Sequence, residues 1–169
     1  TMPACAAALS RALRARARDL EQNSDYVAKY LQLVEVNVIG EHGIRLQAKT
    51  RTSRGKLDGR NNRIIEREFR KWSKASNCSV DGRLSWLDLQ RLVARSIARD
   101  GEILIRLVRA NGLQLIAYEA DYLNNDLNMD RSKNQNQIAQ GIELDALGKP
   151  IAYHLAKSHP GPSLSLIHI

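Results

Sequence analysis

The chain has 169 residues, of which 43% are hydrophobic and 26% are charged. A chain of this length can bury one ordinary hydrophobic core, and its composition is that of a globular protein, so disorder throughout is excluded. The formal net charge of +8 makes the surface attractive to polyanions such as nucleic acid, although a basic surface that contacts only solvent fits the charge equally well.

Cysteine usage and hydropathy argue against a disulfide- or metal-stabilised protein and against a membrane-spanning one. Cys5 and Cys78 are far apart in sequence and match neither a metal site nor a disulfide framework, so two unpaired thiols are predicted. No stretch approaches the roughly 20 apolar residues that a membrane-spanning helix requires, and we expect no membrane partner. The chain opens with Thr1 and closes on an apolar tail, 163–169, and we expect its far end to be cut from a longer protein.

The N-terminal sequence predicts helix over about 5–39. Apolar or small residues recur from Leu13 at alternating steps of four and three, which places them on one helical stripe. Good N-cap residues at 23–25 interrupt this stripe, so two consecutive helices with a joint there are predicted. Gly40 and Gly43 then end the second helix. The stripe residues expected in the core are Val27, Leu31, Val34 and Val38.

The middle of the chain predicts a strand and two helices. Residues 43–49 alternate apolar and polar side chains, the period of a half-buried strand, and the basic, glycine-containing stretch 50–59 predicts a loop. Helical spacing of large apolar residues predicts a helix over 60–76. Ser85 and Asp88 form a capping-box pattern at the start of a helix over 85–99, which Gly101 ends.

After Gly101 the period changes from helical to two. Strands are predicted over 102–109 and 113–119, joined by a tight turn at 111–112. The polar, asparagine-rich stretch 121–137 predicts a long exposed loop. A second hairpin is predicted from strands over 137–144 and 150–156. Helices first and antiparallel strands second indicate an α+β fold.

Motifs for catalysis and cofactor binding are absent from the sequence. No nucleotide-binding glycine loop occurs, and no cofactor is expected. Asp126, Asn128 and Asp130 match the start of a calcium loop, but Arg131 stands where such a loop has glycine, so a polar loop is the preferred interpretation. Asp100 and Glu102 resemble a carboxylate pair, yet a helix end followed by a strand start explains both.

The four histidines have no catalytic partner at an interpretable spacing. They are His42, His154, His159 and His168. His154 is expected on the face of its hairpin opposite Tyr153, where it would contact solvent or a neighbouring subunit.

Basic residues concentrate on the first predicted helix. Arg11, Arg14 and Arg18 share one side of it, and Arg16 lies within the same three turns. They are the candidate residues for contact with nucleic acid or with acidic groups of a neighbouring subunit. A solvated helix face remains the alternative.

Several blocks of the sequence resemble, in their joint order, the lambda family of phage portal proteins. The first is LRARARDLEQNSDY at 13–26. The others are NVIG at 37–40, GIRLQ at 43–47, DGR at 81–83, LQRLV at 89–93, DGEILIRLV at 100–108, LQLI at 113–116, EAD at 119–121, GIELD at 141–145, GKPIAYH at 148–154 and HPG at 159–161. The likeness covers roughly 13–161, and the tail 163–169 is expected to lie outside it.

The resemblance implies an N-terminal portion of the wing region of a portal subunit, with 1–162 as a partial portal domain. Such subunits form a ring, usually dodecameric, at one capsid vertex, and the protein is not an enzyme. The partners implied are identical portal subunits, the terminase, capsid and head-completion or tail proteins, and double-stranded DNA that passes through the channel. The location implied is the virion, with assembly in the host cytoplasm.

Two alternative functions stay open at this point. The first is a stand-alone basic nucleic-acid-binding domain, which would bind DNA in a salt-dependent manner. The second is a hydrolase that uses Asp100, Glu102 or Asp121, which would require a pocket that joins the three carboxylates.

Overall fold

The computed structural model describes residues 2–109, 112–130, 136–157 and 166–167, with side chains from residue 7 to 157. Helices come first and antiparallel strands follow, so the α+β fold class is confirmed. The helices are α1 (Met2–Asn23), α2 (Asp25–Val34), α3 (Gly59–Trp72), α4 (Ala75–Cys78) and α5 (Trp86–Asp100). The strands are β1 (Ile103–Val108), β2 (Gln114–Glu119), β3 (Gln137–Ala139), β4 (Ile142–Leu144), β5 (Pro150–Tyr153), β6 (Leu155–Ala156) and β7 (Leu166–Ile167).

The joint between α1 and α2 lies where the sequence predicts it, at Ser24. The capping box at the start of α5 is also present, because the Ser85 hydroxyl accepts from the Asp88 amide while the Asp88 carboxylate accepts from the Ser85 amide. Gly101 ends α5 in the left-handed conformation, with φ of 83°. These local signals were sufficient because each depends on residues within one helical turn.

The core prediction for α2 holds in part. Leu31 is 1% exposed, whereas Val38 is 62% exposed, so its assignment to the core is wrong. The helix widens into a π-turn over Glu35–Ile39, in which the Gly40 amide bonds to the Glu35 carbonyl at 3.2 Å. The extra residue per turn rotates Val38 outward and brings Ile39 to the buried side.

The predicted strand over 43–49 is wrong. This segment pairs with no strand in the described part of the chain, and Ile44 is largely exposed. Helix side chains replace the missing strand partner: the Gln90 amide bonds both to the Ile44 N–H, at 2.6 Å, and to the Ile44 carbonyl, at 3.3 Å. Glu66 accepts from the Ala48 N–H at 3.0 Å. These three backbone groups are hydrogen-bonded without a sheet.

The hydrophobic core lies between α3, α5 and the β1–β2 hairpin. Cys78, Leu89 and Leu115 are buried at its centre. Burial raises the pKa of the Cys78 thiol to about 11, so this free cysteine is an unreactive core residue. Phe69, Trp72 and Trp86 pack around it, with ring centroids 5.4 to 6.3 Å apart. The helix predicted over 60–76 ends earlier, at Trp72, and α4 follows as a separate turn.

The strands form small antiparallel sheets. β1 and β2 pair along their whole length, which confirms the first hairpin; part of its turn, 110–111, lies outside the described residues. The strand predicted over 137–144 is in fact two strands, because Gln140 and Gly141, with φ of 50° and 77°, make a tight turn between β3 and β4. β5 completes that sheet in the order β3-β4-β5, and β6 pairs with β7.

The stretch 121–137 is less exposed than predicted where the structure describes it. A 3-10 turn over Ala120–Tyr122 begins the stretch, and Leu123 is buried and bridges to Leu155. The segment crosses the second sheet because its backbone bonds to 138, 141 and 154. No helix in the described ranges combines the length and the apolar character needed to cross a bilayer.

Candidate functional site

The most densely charged site in the described chain is a cluster that joins α1, α5 and the first hairpin. We call it the ion-pair junction. Its members are Arg14, Arg18, Glu21, Glu35, Arg95, Arg99, Asp100, Glu102 and Asp121. The four arginines come from two helices, and the five carboxylates come from five elements or their ends. The junction therefore ties the helices to the strands.

Arg14 is the buried arginine of the junction, with 4% of its side chain exposed. Its guanidinium donates to Asp121 at 3.1 Å, to Glu102 at 2.7 Å and to the Ser10 hydroxyl at 2.9 Å. A buried guanidinium is tolerated only when its charge and donors are satisfied. Here one helix residue holds both the start of β1 and the turn after β2.

Asp100, at the end of α5, is the carboxylate on which two arginines converge. Its side chain is 1% exposed. Arg18 donates to both of its oxygens at 3.1 Å, and Arg99 donates to them at 3.0 and 2.7 Å. Arg18 also bonds to Asp121. Two bidentate guanidinium pairs on one carboxylate give strong geometric specificity.

Glu21 and Glu35 extend the junction along the other side of α5. Arg99 donates to Glu21 at 2.8 Å, and Arg95 bonds to Glu21 and donates to Glu35 at 2.6 Å. Glu35 belongs to the π-turn, so the irregular end of α2 is positioned by the same network. All of these partners are at least 60 residues apart in sequence, which explains why no local pattern reveals them.

The electrostatics of the junction favour ion pairing over acid–base chemistry. Burial raises the pKa of Asp100, but hydrogen bonds from Arg99 and Arg18 outweigh it and leave the pKa below its usual value. The pKa of Glu21 is lowered in the same way, with burial outweighed by the bonds from Arg99 and Arg95. A carboxylate held ionised at neutral pH by two arginines is a poor proton donor.

A cavity of about 270 Å³ lies beside the junction, between α1 and the segment 121–126. Arg11 closes one side of it by an ion pair with Asp126 at 2.6 Å, and both side chains are about half exposed. Leu123 and Ala156 form an apolar part of the cavity wall. The cations that line this cavity are therefore already paired with carboxylates of the same chain.

The structure locates each predicted site residue that it describes. Arg11, Arg14 and Arg18 pair with acidic groups of their own chain, while Arg16 is exposed and makes no ion pair with any described residue. Asp100, Glu102 and Asp121 do come together, but around arginines. Of the proposed calcium ligands, Asp126 is paired with Arg11 and Asn128 accepts from the Gln140 amide at 2.9 Å.

The prediction that His154 contacts solvent or a neighbouring subunit is wrong. Its side chain is 5% exposed and its Nε2 lies 3.4 Å from Glu143. Its backbone also bonds to Asn124 and Gly141, because the segment 123–127 packs over this strand. His42 is exposed, and His159 and His168 lie outside the described residues. Across the described residues, no cluster of His, Cys, Asp or Glu is suited to bind a metal ion.

A second charged surface lies on residues 45–74. The sequence-based prediction of contact residues, which singled out only the arginines of the first helix, did not identify it. This segment holds eleven of the 26 basic residues but three of the 18 acidic ones, so it accounts for the whole formal net charge of +8. The eleven basic side chains are all exposed. We call this segment the basic surface. Counting charge segment by segment would have found it from the sequence.

Comparison with known proteins shows which family this chain belongs to. The sequence model of the family described as phage portal protein, lambda family, matches residues 4–168. The chain belongs to this family. It is also 42% identical over 153 residues to a probable portal protein of Halomonas phage phiHAP-1, an alignment that covers 88% of this chain and 29% of the relative. The chain thus spans less than a third of that relative's length.

Membership of the portal family makes the chain part of a structural component of the virion. The resemblance seen in the sequence is confirmed, including that the chain corresponds to a fragment of a portal protein. The family match runs to residue 168, so it includes most of the tail 163–169 that we expected to lie outside it.

Proposed function

We propose that the chain is part of the wing region of a portal subunit that assembles with identical copies into a ring, expected to be dodecameric, at one vertex of the capsid. The observation that carries this proposal is the family match over 4–168, which the identity to a phage portal protein supports. Residues 1–162 would form a partial portal domain within the whole subunit.

The exposed apolar surface of α1 and α2 supports assembly. Large apolar side chains that are more than two-fifths exposed follow one another along these helices and the π-turn. They are Leu9, Leu13, Leu20, Tyr26, Tyr30, Leu33, Val36 and Val38. Exposed apolar side chains in this number are typical of a protein contact surface. In a cyclic ring each subunit presents two different surfaces to its neighbours, and this one is suited to be one of them.

The proposed partners follow from the ring. Double-stranded DNA would pass through its channel during packaging by the terminase and again during ejection. Capsid proteins would surround the ring, and head-completion or tail proteins would join it after packaging. Assembly would take place in the host cytoplasm, before the virion is complete.

A structural role, with no catalysis, is proposed for the ion-pair junction. The carboxylates that could serve a hydrolase, Asp100, Glu102 and Asp121, each accept from arginines. We propose that Arg11, Arg14 and Arg18 hold α1 against the strands of the same subunit. Arg16 is then the member of the arginine set that is available to a neighbouring subunit or to nucleic acid.

The test is the native mass of the product of the longest open reading frame that contains this chain. Mass photometry should find particles whose mass is a fixed multiple of the subunit mass, because a closed ring has one subunit number. Replacing Tyr26 and Tyr30 by Asp should lower the fraction of assembled particles. A product that remains monomeric at all concentrations and salt conditions would refute the proposal.

A further inference from the structure

The positive charge of this chain is segregated. Outside the basic surface, fifteen basic and fifteen acidic residues balance, and Arg14, Arg18, Arg95 and Arg99 are paired with carboxylates. Within the basic surface, Glu68 pairs with Arg67 and Lys71, while Glu66 bonds to the Ala48 backbone. The excess of positive over negative charge therefore lies within this one segment of the chain.

Helix geometry aligns the charges of α3. Arg60, Arg63, Arg67 and Arg70 recur at steps of three and four, and with Lys71 they occupy an arc about 100° wide. The opposite side of the helix carries the buried Asn62 and the aromatic residues that pack on the core. The four arginines also line one shallow depression on the surface. We call them the arginine stripe.

The basic loop before α3 is fixed against the helix. The Asn62 side chain accepts from the Thr50 N–H at 2.8 Å and donates to the Thr50 carbonyl at 3.3 Å. The loop closes on itself, since the Thr52 N–H bonds to the Lys56 carbonyl at 2.8 Å and Arg51 bridges to Leu57. Its cations therefore extend the surface of α3 as an ordered unit. They are Lys49, Arg51, Arg54 and Lys56.

The chemistry of this surface fits the phosphates of a double-stranded nucleic acid. The arginine stripe is about 15 Å long, a distance over which one strand of B-DNA carries about four phosphates. The planar guanidinium group matches phosphate oxygens. Of the aromatic residues of α3, Trp72 packs on the core and Phe69 packs on Trp72 and Trp86, so the arginine face of the helix offers no platform for unstacked bases. An interface for an acidic protein usually has an apolar centre, whereas here Ile64 only borders the charges.

We infer that the arginine stripe, with the ordered basic loop before it, binds the backbone of double-stranded DNA without reading its sequence. This inference deepens the proposed function and rests on it for the source of the duplex. The observations that support a phosphate-binding surface, its charge and its geometry, do not depend on the proposed function. The sequence predicted a candidate DNA contact at the arginines of α1, three of which are paired with carboxylates. The structure favours α3 instead.

The test measures the affinity of the 169-residue chain for a short random-sequence duplex by fluorescence anisotropy, between about 50 and 200 mM salt. The stripe variant carries Arg60→Gln, Arg63→Gln, Arg67→Gln and Arg70→Gln. The control variant carries Lys29→Gln, Arg83→Gln, Lys149→Gln and Lys157→Gln, four exposed positions outside the basic surface. Both lose four positive charges. Circular dichroism verifies that each variant is folded. If the fourfold stripe variant does not fold, the double variant Arg60→Gln/Arg63→Gln is compared with Lys149→Gln/Lys157→Gln, and a slope that falls by about two is expected for the stripe pair alone.

The wild-type chain and the control should bind with the same steep salt dependence. The stripe variant should bind at least about tenfold more weakly at the lowest salt, and the slope of log K against log salt should fall by about three to four. Equal losses in both variants, or no salt-dependent binding by the wild-type chain, would overturn the inference. Competition by poly-glutamate as effective as that by duplex at equal charge would overturn it in favour of an acidic protein partner.

The two proposals fail separately. A ring whose subunits bind duplex equally well with and without the stripe would refute the DNA surface alone. Stripe-dependent binding by a product that never assembles would refute the ring alone.

Discussion

Gly141 occupies a position where both backbone conformation and space require glycine. Its φ is 77°, and a Cβ built on it would lie 2.6 Å from the Asn124 carbonyl oxygen. The chain makes this close approach because the Gly141 amide bonds to the Leu127 carbonyl and its carbonyl accepts from the His154 amide. The turn between β3 and β4 thus packs directly under the segment that carries the junction residue Asp121.

Gly141→Ala should lower the free energy of unfolding by about 3 kcal/mol, from the strain of a positive φ together with the steric clash. Urea unfolding followed by circular dichroism measures the change. Gly148→Ala is the matched control, since Gly148 has φ of 80° and open space around it. It should cost only about 1 kcal/mol. Equal costs for the two variants would show that the contact with Asn124 contributes nothing.

Asp100→Asn should destabilise the chain by about 2 kcal/mol at neutral pH, because it leaves two partly buried guanidinium groups with weaker acceptors. The matched control is Asp126→Asn, which removes a half-exposed ion pair and should cost well under about 1 kcal/mol. Urea unfolding at pH 7 gives both values. If Asp126→Asn lowered the unfolding free energy as much as Asp100→Asn does, the junction would stabilise the fold no more than an exposed ion pair.

The same junction predicts how stability depends on pH. The pKa values of Asp100 and Glu21 are lowered in the folded state, so their contribution is complete above the unfolded pKa near 4 and is lost as the pH falls through the lowered values. The unfolding free energy should therefore fall between about pH 5 and pH 2. Asp100→Asn should make that fall shallower. An unchanged pH dependence in the variant would contradict the assigned pairs.

At the scale of elements, the start of α5 depends on its capping box. Ser85→Ala should lower the unfolding free energy by about 1 kcal/mol, because the Asp88 amide loses its acceptor. Thermal and urea unfolding measure it. Ser24, the N-cap of α2, makes no side-chain cap bond, so Ser24→Ala serves as the control and should be close to neutral. A larger loss at Ser24 than at Ser85 would refute this prediction.

The elements predicted correctly from the sequence are those that short-range patterns define. The joint at Ser24, the capping box at Ser85 and the first hairpin all depend on neighbouring residues. The strand expected over 43–49 failed because alternation does not show whether a partner strand exists, and without one the apolar residues Ile44 and Leu46 are exposed. Gln90 and Glu66, from distant helices, satisfy that backbone instead.

The candidate site was predicted in its residue types but not in its arrangement. The arginines of α1 and the carboxylates Asp100, Glu102 and Asp121 were each singled out, yet their pairing depends on the packing of α1 on α5 and the hairpin. Contacts that span 60 to 107 residues leave no local periodicity. The basic surface was accessible from the sequence, since it requires only that charge be counted by segment.

For the whole molecule, the distribution of charge separates two roles. Paired charges join helices to strands, whereas the excess of positive charge lies on the segment 45–74, which includes α3 and the loop before it. Exposed apolar side chains on α1 and α2 provide a third kind of surface, suited to another copy of the chain. The proposed ring subunit would contact both its neighbours and duplex DNA, and this division of its surface would suit both contacts.

Electron microscopy of the product of the longest open reading frame that contains this chain tests the central claim most directly. The family assignment predicts closed rings with a central channel and one dominant rotational symmetry. Single globular particles, or open filaments that never close, would contradict the claim that this chain belongs to a ring-forming subunit.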